Sequence, residues 1–113
     1  MTGLELAKII AKTLDEKLGV DVKVLKVEEL TIIADYFVIA SGSSSTQVRA
    51  LADEVEHKLS LLGKKPVSVE GKPVGGWVVL DYNTVLLHVF HDESREFYSL
   101  ERLWADAKQI EPE

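Results

Sequence analysis

Between Gly76 and His91 the chain reads Gly-Trp-Val-Val-Leu-Asp-Tyr, breaks at Asn83-Thr84, and resumes as Val-Leu-Leu-His-Val-Phe-His. Successive strand residues point to opposite faces of a sheet, and in both arms of this hairpin the two alternating sets are largely apolar. A sheet with one wet face carries polar residues on one set. The pattern therefore predicts a hairpin covered on two sides, and it points to a partner surface more than to a catalytic centre.

The two sets differ in character. Val78, Leu80, Val85, Leu87 and Val89 are all aliphatic and form the best candidate for a side lying under helices. Trp77, Val79, Asp81, Leu86, His88 and Phe90 mix large aromatics with single polar groups, a composition common at the centres of protein interfaces. A two-residue loop, at Tyr82-Asn83 or at Asn83-Thr84, keeps each set on one face; a three-residue loop breaks the grouping. Two covers are available for the mixed face. Tyr98, Leu103 and Trp104 from C-terminal helical turns are one, and a partner molecule is the other.

Two long helices supply the first cover. Thr2 with Glu5 fits a capping box and Gly19 a C-terminal stop, which predicts a helix over 2–18. Its stripe is Leu4, Ala7, Ile10, Ala11, Leu14 and Leu18, with Leu6 and Ile9 roughly opposite, either as stray exposed residues or as a dimer seam. Ser44 with Gln47 fits a second capping box and opens a helix to Leu62, striped by Val48, Leu51, Ala52, Val55, Leu59 and Leu62. Arg49, Asp53, Glu56 and His57 lie on its far side. Strands are expected at 21–27, 36–40 and 67–70 besides the hairpin arms, and Gly71, Pro73, Gly75 and Gly76 mark a tight loop. The element order is α-β-β-α-β-β-β-α, with both long helices on one sheet face. The expectation is a single α/β domain over 1–113, in which 105–113 is a C-terminal extension that frays at Ile110–Glu113.

Charge narrows the partners. The net charge is −6, and of the residues from Asp81 to Glu113 eight are acidic and three basic, so most of the excess lies there. Such a surface repels phosphate backbones and suits a basic protein. Specific nucleic-acid binding is not expected. The absence of Cys excludes disulfides and thiolate metal sites. Residues 1–20 carry charges inside an apolar stripe, which reads as an amphipathic helix and not as a leader or a membrane span. A cytoplasmic protein is the default.

Catalytic signals do not assemble. The Gly42–Thr46 loop enters a helix, where anions can bind, but no Lys stands in the P-loop position and a plain cap accounts for Ser44. A Gly-Ser loop of this kind also serves nucleotidyltransferases, whose clustered carboxylates hold metal ions. Here Glu70 and Asp81 stand singly on their strands. His88 and His91 are three apart on one strand and face opposite sides. Asp81 and His88 are diagonal neighbours across the hairpin, but no nucleophile is identifiable beside them. No catalytic residue, cofactor or metal is expected. The alternative is a nucleotide-binding or nucleotidyltransferase-like enzyme using the loop at 42–46.

Several blocks together resemble the ribosomal silencing factor family, also called Iojap-like: Asp35-Tyr36-Phe37-Val38-Ile39-Ala40-Ser41-Gly42, Glu70-Gly71, Gly76 to Asp81, His88-Val89-Phe90, and Arg95 to Trp104. The resemblance runs from about Asp21 to Trp104 in order and spacing. It implies a mixed five-stranded sheet, related in shape to nucleotidyltransferases but without their catalytic carboxylates. It also implies a non-enzymatic cytoplasmic protein, often a homodimer. It implies a partner too, the fourteenth protein of the large ribosomal subunit, on which the family blocks subunit joining and represses translation. Carried onto this chain, the partner-binding residues are Trp77 as buried anchor, Val79 beside it, Asp81 toward a basic side chain, His88, and Tyr98 at the border. The stretch 105–113 departs from many members and either folds back on the sheet or shields the patch.

Overall fold

The computed structural model describes residues 1–92 and 107–110. Helix α1 spans Gly3–Glu16, β1 Val20–Lys26, β2 Tyr36–Gly42, α2 Ser45–Leu61, β3 Ser68–Glu70, β4 Trp77–Asp81, β5 Val85–His91 and β6 Lys108–Ile110. The strands form one mixed sheet in the order β3-β4-β5-β2-β1-β6. The central pair β2 and β5 is parallel, and every other neighbouring pair is antiparallel.

Both helices begin where their caps predict. The Thr2 hydroxyl accepts the Glu5 N–H and the Glu5 carboxylate accepts the Thr2 N–H, which completes the box and holds the Glu5 carboxyl below its usual pKa. At α2 the Ser44 hydroxyl accepts the Gln47 N–H, but the Gln47 carboxamide reaches one residue further back, to the N–H and hydroxyl of Ser43. That makes a half box, braced by Ser43. At its other end α1 departs from expectation. Leu18, not Gly19, takes the left-handed backbone, at φ 65°. The Gly19 N–H bonds Leu14 O at 2.7 Å, and a Cβ on Gly19 would stand 2.9 Å from that oxygen. Gly19 is therefore needed for close approach, and Leu18 carries the turn.

The first sheet face packs under both helices. Val24, Val38, Ala40, Val78, Leu80, Val85, Leu87 and Val89 join Ile10, Ala11 and Leu14 of α1 and Val48, Leu51, Ala52, Val55 and Leu59 of α2 in one core. Each fully buried aliphatic side chain there contributes about 1.5–3 kcal/mol against exposure. The α1 stripe is rotated from the expected one. Leu6 is buried in the core and Ile9 packs against it, Leu4 is half-buried, and Leu18 is 77% exposed. Helix α1 leans on α2 as well as on the sheet, so its apolar arc widens toward α2 and Leu6 is no exposed seam. At the end of α2, Leu62 is exposed.

Six strands replace the expected five. The additional one, β6, pairs with β1 through Val24–Ile110, Leu25–Gln109 and Lys26–Lys108. The extension thus folds back onto the sheet edge at Lys108–Ile110, and Ile110 is half-buried instead of frayed. The expected C-terminal turns, with Tyr98, Leu103 and Trp104, and the end at 111–113 lie outside the described residues.

Candidate protein-docking face

The hairpin turn decides which residues share the second face. Tyr82 N–H bonds Val85 O, Asn83 takes φ 76° and its N–H bonds the Asp81 carboxylate at 2.8 Å. The loop is thus the two-residue Asn83-Thr84 form, with Asn at the left-handed position such turns favour. The resulting register sets Trp77 opposite Phe90, Val79 opposite His88 and Asp81 opposite Leu86. The whole mixed set stands together, as the alternation predicted. Parallel pairing with β2 adds Phe37 beside Leu86 and Ile39 beside His88.

Depth divides this face. Phe90, Phe37, Ile39 and Leu25 are buried in a second apolar cluster with Val27 and Ala34, and Trp77, Leu86 and Ala107 pack against it. Trp77, Val79, Asp81 and Leu86 are half-buried and accessible from outside. His88 is 6% exposed, so it lies within the cluster instead of at its surface. Register also brings the two lone carboxylates to one side. Glu70 pairs with Val79 and Ser68 with Asp81, which puts Glu70 and Asp81 diagonally across β3 and β4 on the mixed face. Tyr98 lies outside the described residues.

Trp77 is fixed from several directions. Its ring stacks on Phe90 at 5.1 Å between centroids, and its indole N–H donates to His88 Nδ1 at 3.1 Å. The approach to it is set by the glycine loop. Gly71 has φ 85°, and a Cβ there would fall 2.0 Å from the Trp77 carbonyl oxygen. Lys72 reaches across to Asp53 and Glu56 of α2. Burial alone would lower the Lys72 pKa, but the two carboxylates together hold it above the usual lysine value. The polar side of α2, through Asp53 and Glu56, is therefore what anchors the loop ahead of β4.

The same geometry removes the catalytic options. His88 Nδ1 is taken by Trp77 and the Asp81 carboxylate by Asn83, so the two do not form a base and its orienter. Burial pushes the His88 pKa down to about 4, leaving a neutral ring. At the entry to α2 the Ser43 N–H and hydroxyl are taken by the Gln47 carboxamide oxygen and the Gln47 N–H by the Ser44 hydroxyl, the pattern of a helix cap. Among the described residues no cluster of three or more His, Asp or Glu is placed to hold a metal ion, and no helix is long and apolar enough to cross a membrane.

Together these features define an α/β protein whose mixed sheet is helix-covered on one face and carries an aromatic and acidic patch on the other. Comparison with known proteins sharpens the class. A family model described as "Ribosomal silencing factor during starvation" matches residues 1–113. The ribosomal silencing factor RsfS of Bacillus subtilis is 37% identical over 107 residues, covering 95% of this chain and 91% of that protein. The chloroplastic protein Iojap of Zea mays is 31% identical over 108 residues, covering 96% of this chain and 47% of that longer protein. A crystal structure from Chromobacterium violaceum superposes with a TM-score of 0.90 at 34% identity, covering 93% of this chain and 88% of that one. A second, from Bacillus halodurans, gives 0.84 at 32% identity, covering 95% and 97%. The chain belongs to the ribosomal silencing factor family, and that family is one of silencing factors, not of enzymes.

Proposed function

We propose that this protein represses translation by docking its mixed sheet face on a basic protein of the large ribosomal subunit, the fourteenth, and so blocking the small subunit from joining. The observation that carries this reading is the grouping of Trp77, Val79 and Asp81 on one accessible strand face over a buried aromatic bed. A rigid aromatic anchor beside a half-exposed aliphatic and a carboxylate is the composition of an interface centre. Glu70 and Asp81 add an acidic margin that suits a basic partner. A steric block needs affinity and bulk, and no reacting groups.

In this reading Trp77 is the anchor, Val79 packs beside it, Asp81 meets a Lys or Arg, and Tyr98 borders the patch. The protein acts in the cytoplasm as a single domain with the general shape of a nucleotidyltransferase, and pairs with a second copy when free. The capping of the Gly42–Thr46 loop by Gln47 at Ser43, with no Lys in the P-loop position, disfavours the nucleotide-binding alternative.

Trp77→Ala is expected to weaken binding to the isolated ribosomal protein by about 2–4 kcal/mol, the loss typical of a central anchor. Titration calorimetry measures it, with circular dichroism to confirm folding. Unchanged affinity in a folded variant moves the docking site elsewhere. Nucleotide with magnesium is expected to leave the melting temperature where it was, whereas a true ligand at a hundred times its dissociation constant stabilises by about 2.7 kcal/mol.

A further inference from the structure

His88 presents a puzzle of cost. It is buried on a face otherwise lined by Phe37, Ile39 and Phe90, its ring meeting Phe37 edge-on at 5.0 Å and lying nearly parallel to Phe90 at 6.3 Å. Because Nδ1 accepts the Trp77 indole N–H, the neutral ring must carry its proton on Nε2. That Nε2 is buried and has no hydrogen-bond partner among the described residues. A buried donor without an acceptor is destabilising, and a leucine of similar volume would fill the site without it. What the imidazole provides, and a leucine would not, is the acceptor for the indole.

We propose that His88 is a positioning residue for Trp77, holding the half-buried indole in the one pose in which it meets a partner. The proposal rests on the reading of Trp77 as the docking anchor. It revises the role of His88 from a contact residue to one that acts through its neighbour. Among the described residues the indole is gripped by the stack on Phe90 and by the bond to Nδ1. With the second grip gone the ring is held less tightly in its pose. That freedom must be lost again on binding, a cost of about three- to tenfold in affinity for one immobilised side chain.

Three variants separate this role from a merely structural one. His88→Asn keeps an acceptor oxygen near the Nδ1 position, His88→Leu removes the acceptor and keeps the volume, and Trp77→Phe removes the donor and leaves His88 intact. The first readout is the Trp77 indole N–H resonance of the free protein and its exchange rate with solvent, assigned by its absence in Trp77→Phe. The second is affinity for purified large ribosomal subunits. We expect His88→Leu to accelerate indole exchange and weaken binding about three- to tenfold, His88→Asn to restore both, and His88→Leu to add nothing in the Trp77→Phe background.

An unchanged indole resonance in His88→Leu overturns the proposal. So does wild-type affinity in His88→Leu when Trp77→Ala has lost binding, and in that case the docking reading survives. If Trp77→Ala itself binds normally, both readings fall. Should His88→Leu fail to fold, His88→Phe, which also lacks an acceptor and leaves Trp77 intact, takes its place with the same two readouts and the same outcomes.

Discussion

A neutral imidazole inside an aromatic cluster makes His88 an acid-sensitive residue of this fold. Its folded pKa of about 4 lies below the ordinary 6.5, so between these values the unfolded chain binds the proton and the folded one does not. Its contribution is complete above pH 6.5 and is lost as the pH falls toward 4, by about 3 kcal/mol in all. Urea unfolding at about pH 7 and about pH 4.5 should show this directly, with the loss smaller by about 2–3 kcal/mol in His88→Leu than in the parent protein. An equal loss in both would place the acid sensitivity in other groups. Alternation in the sequence was enough to put His88 on the same face as Trp77. It could not say how deep the ring sits, because depth depends on Phe37 and Ile39, which reach it from β2 by non-local pairing.

Elements show a different boundary between what is legible and what is not. Caps are local, and both helix starts follow from a hydroxyl and an acidic or amide side chain three residues on. The end of α1 turns on an equally local matter: Gly19 signals a stop, but it serves the close contact with Leu14 while Leu18 takes the left-handed position. Leu18 is largely exposed, so Leu18→Gly gives up little burial and relieves the strain. The variant should be more stable by about 0.5–1 kcal/mol, read as a raised urea midpoint at constant slope. Gly71 is the opposite case. A Cβ there meets backbone that cannot step aside without moving the start of β4. Gly71→Ala should cost about 2 kcal/mol or more in thermal unfolding and loosen Trp77 with it. A neutral result would mean the loop has room that the geometry denies. The apolar pair Ile32-Ile33, by contrast, sits exposed in the β1–β2 connection, Ile32 at 103%, and nothing in its spacing foretold that.

At the scale of the molecule, the feature least visible in the sequence is the sheet's far edge. Lys108-Gln109-Ile110 has neither the length nor the alternation of a strand, and only pairing with β1 makes it one. Ending the chain at residue 106 would bare the β1 edge, whose N–H and C=O groups then become a template for another chain. The shortened protein is expected to self-associate at concentrations where the full chain does not, as sedimentation velocity would reveal. A monodisperse shortened protein would mean β1 is protected by some other means. The opposite edge is already blunted, since β3 is only three residues long.

The parallel pairing at the centre has a consequence for how the protein comes into being. Tyr36 finds its parallel neighbour only at Val85, and β1 receives its outer neighbour only at Lys108. A nascent chain emerging from the exit tunnel therefore carries β1 and β2 without the middle of their sheet until Val85–His91 has followed. Long-range closure of this kind is slow compared with local turns and helices. The core beneath α1 and α2 therefore closes only after Val85–His91 has emerged, and until then the apolar face of β1 and β2 lacks its central neighbour.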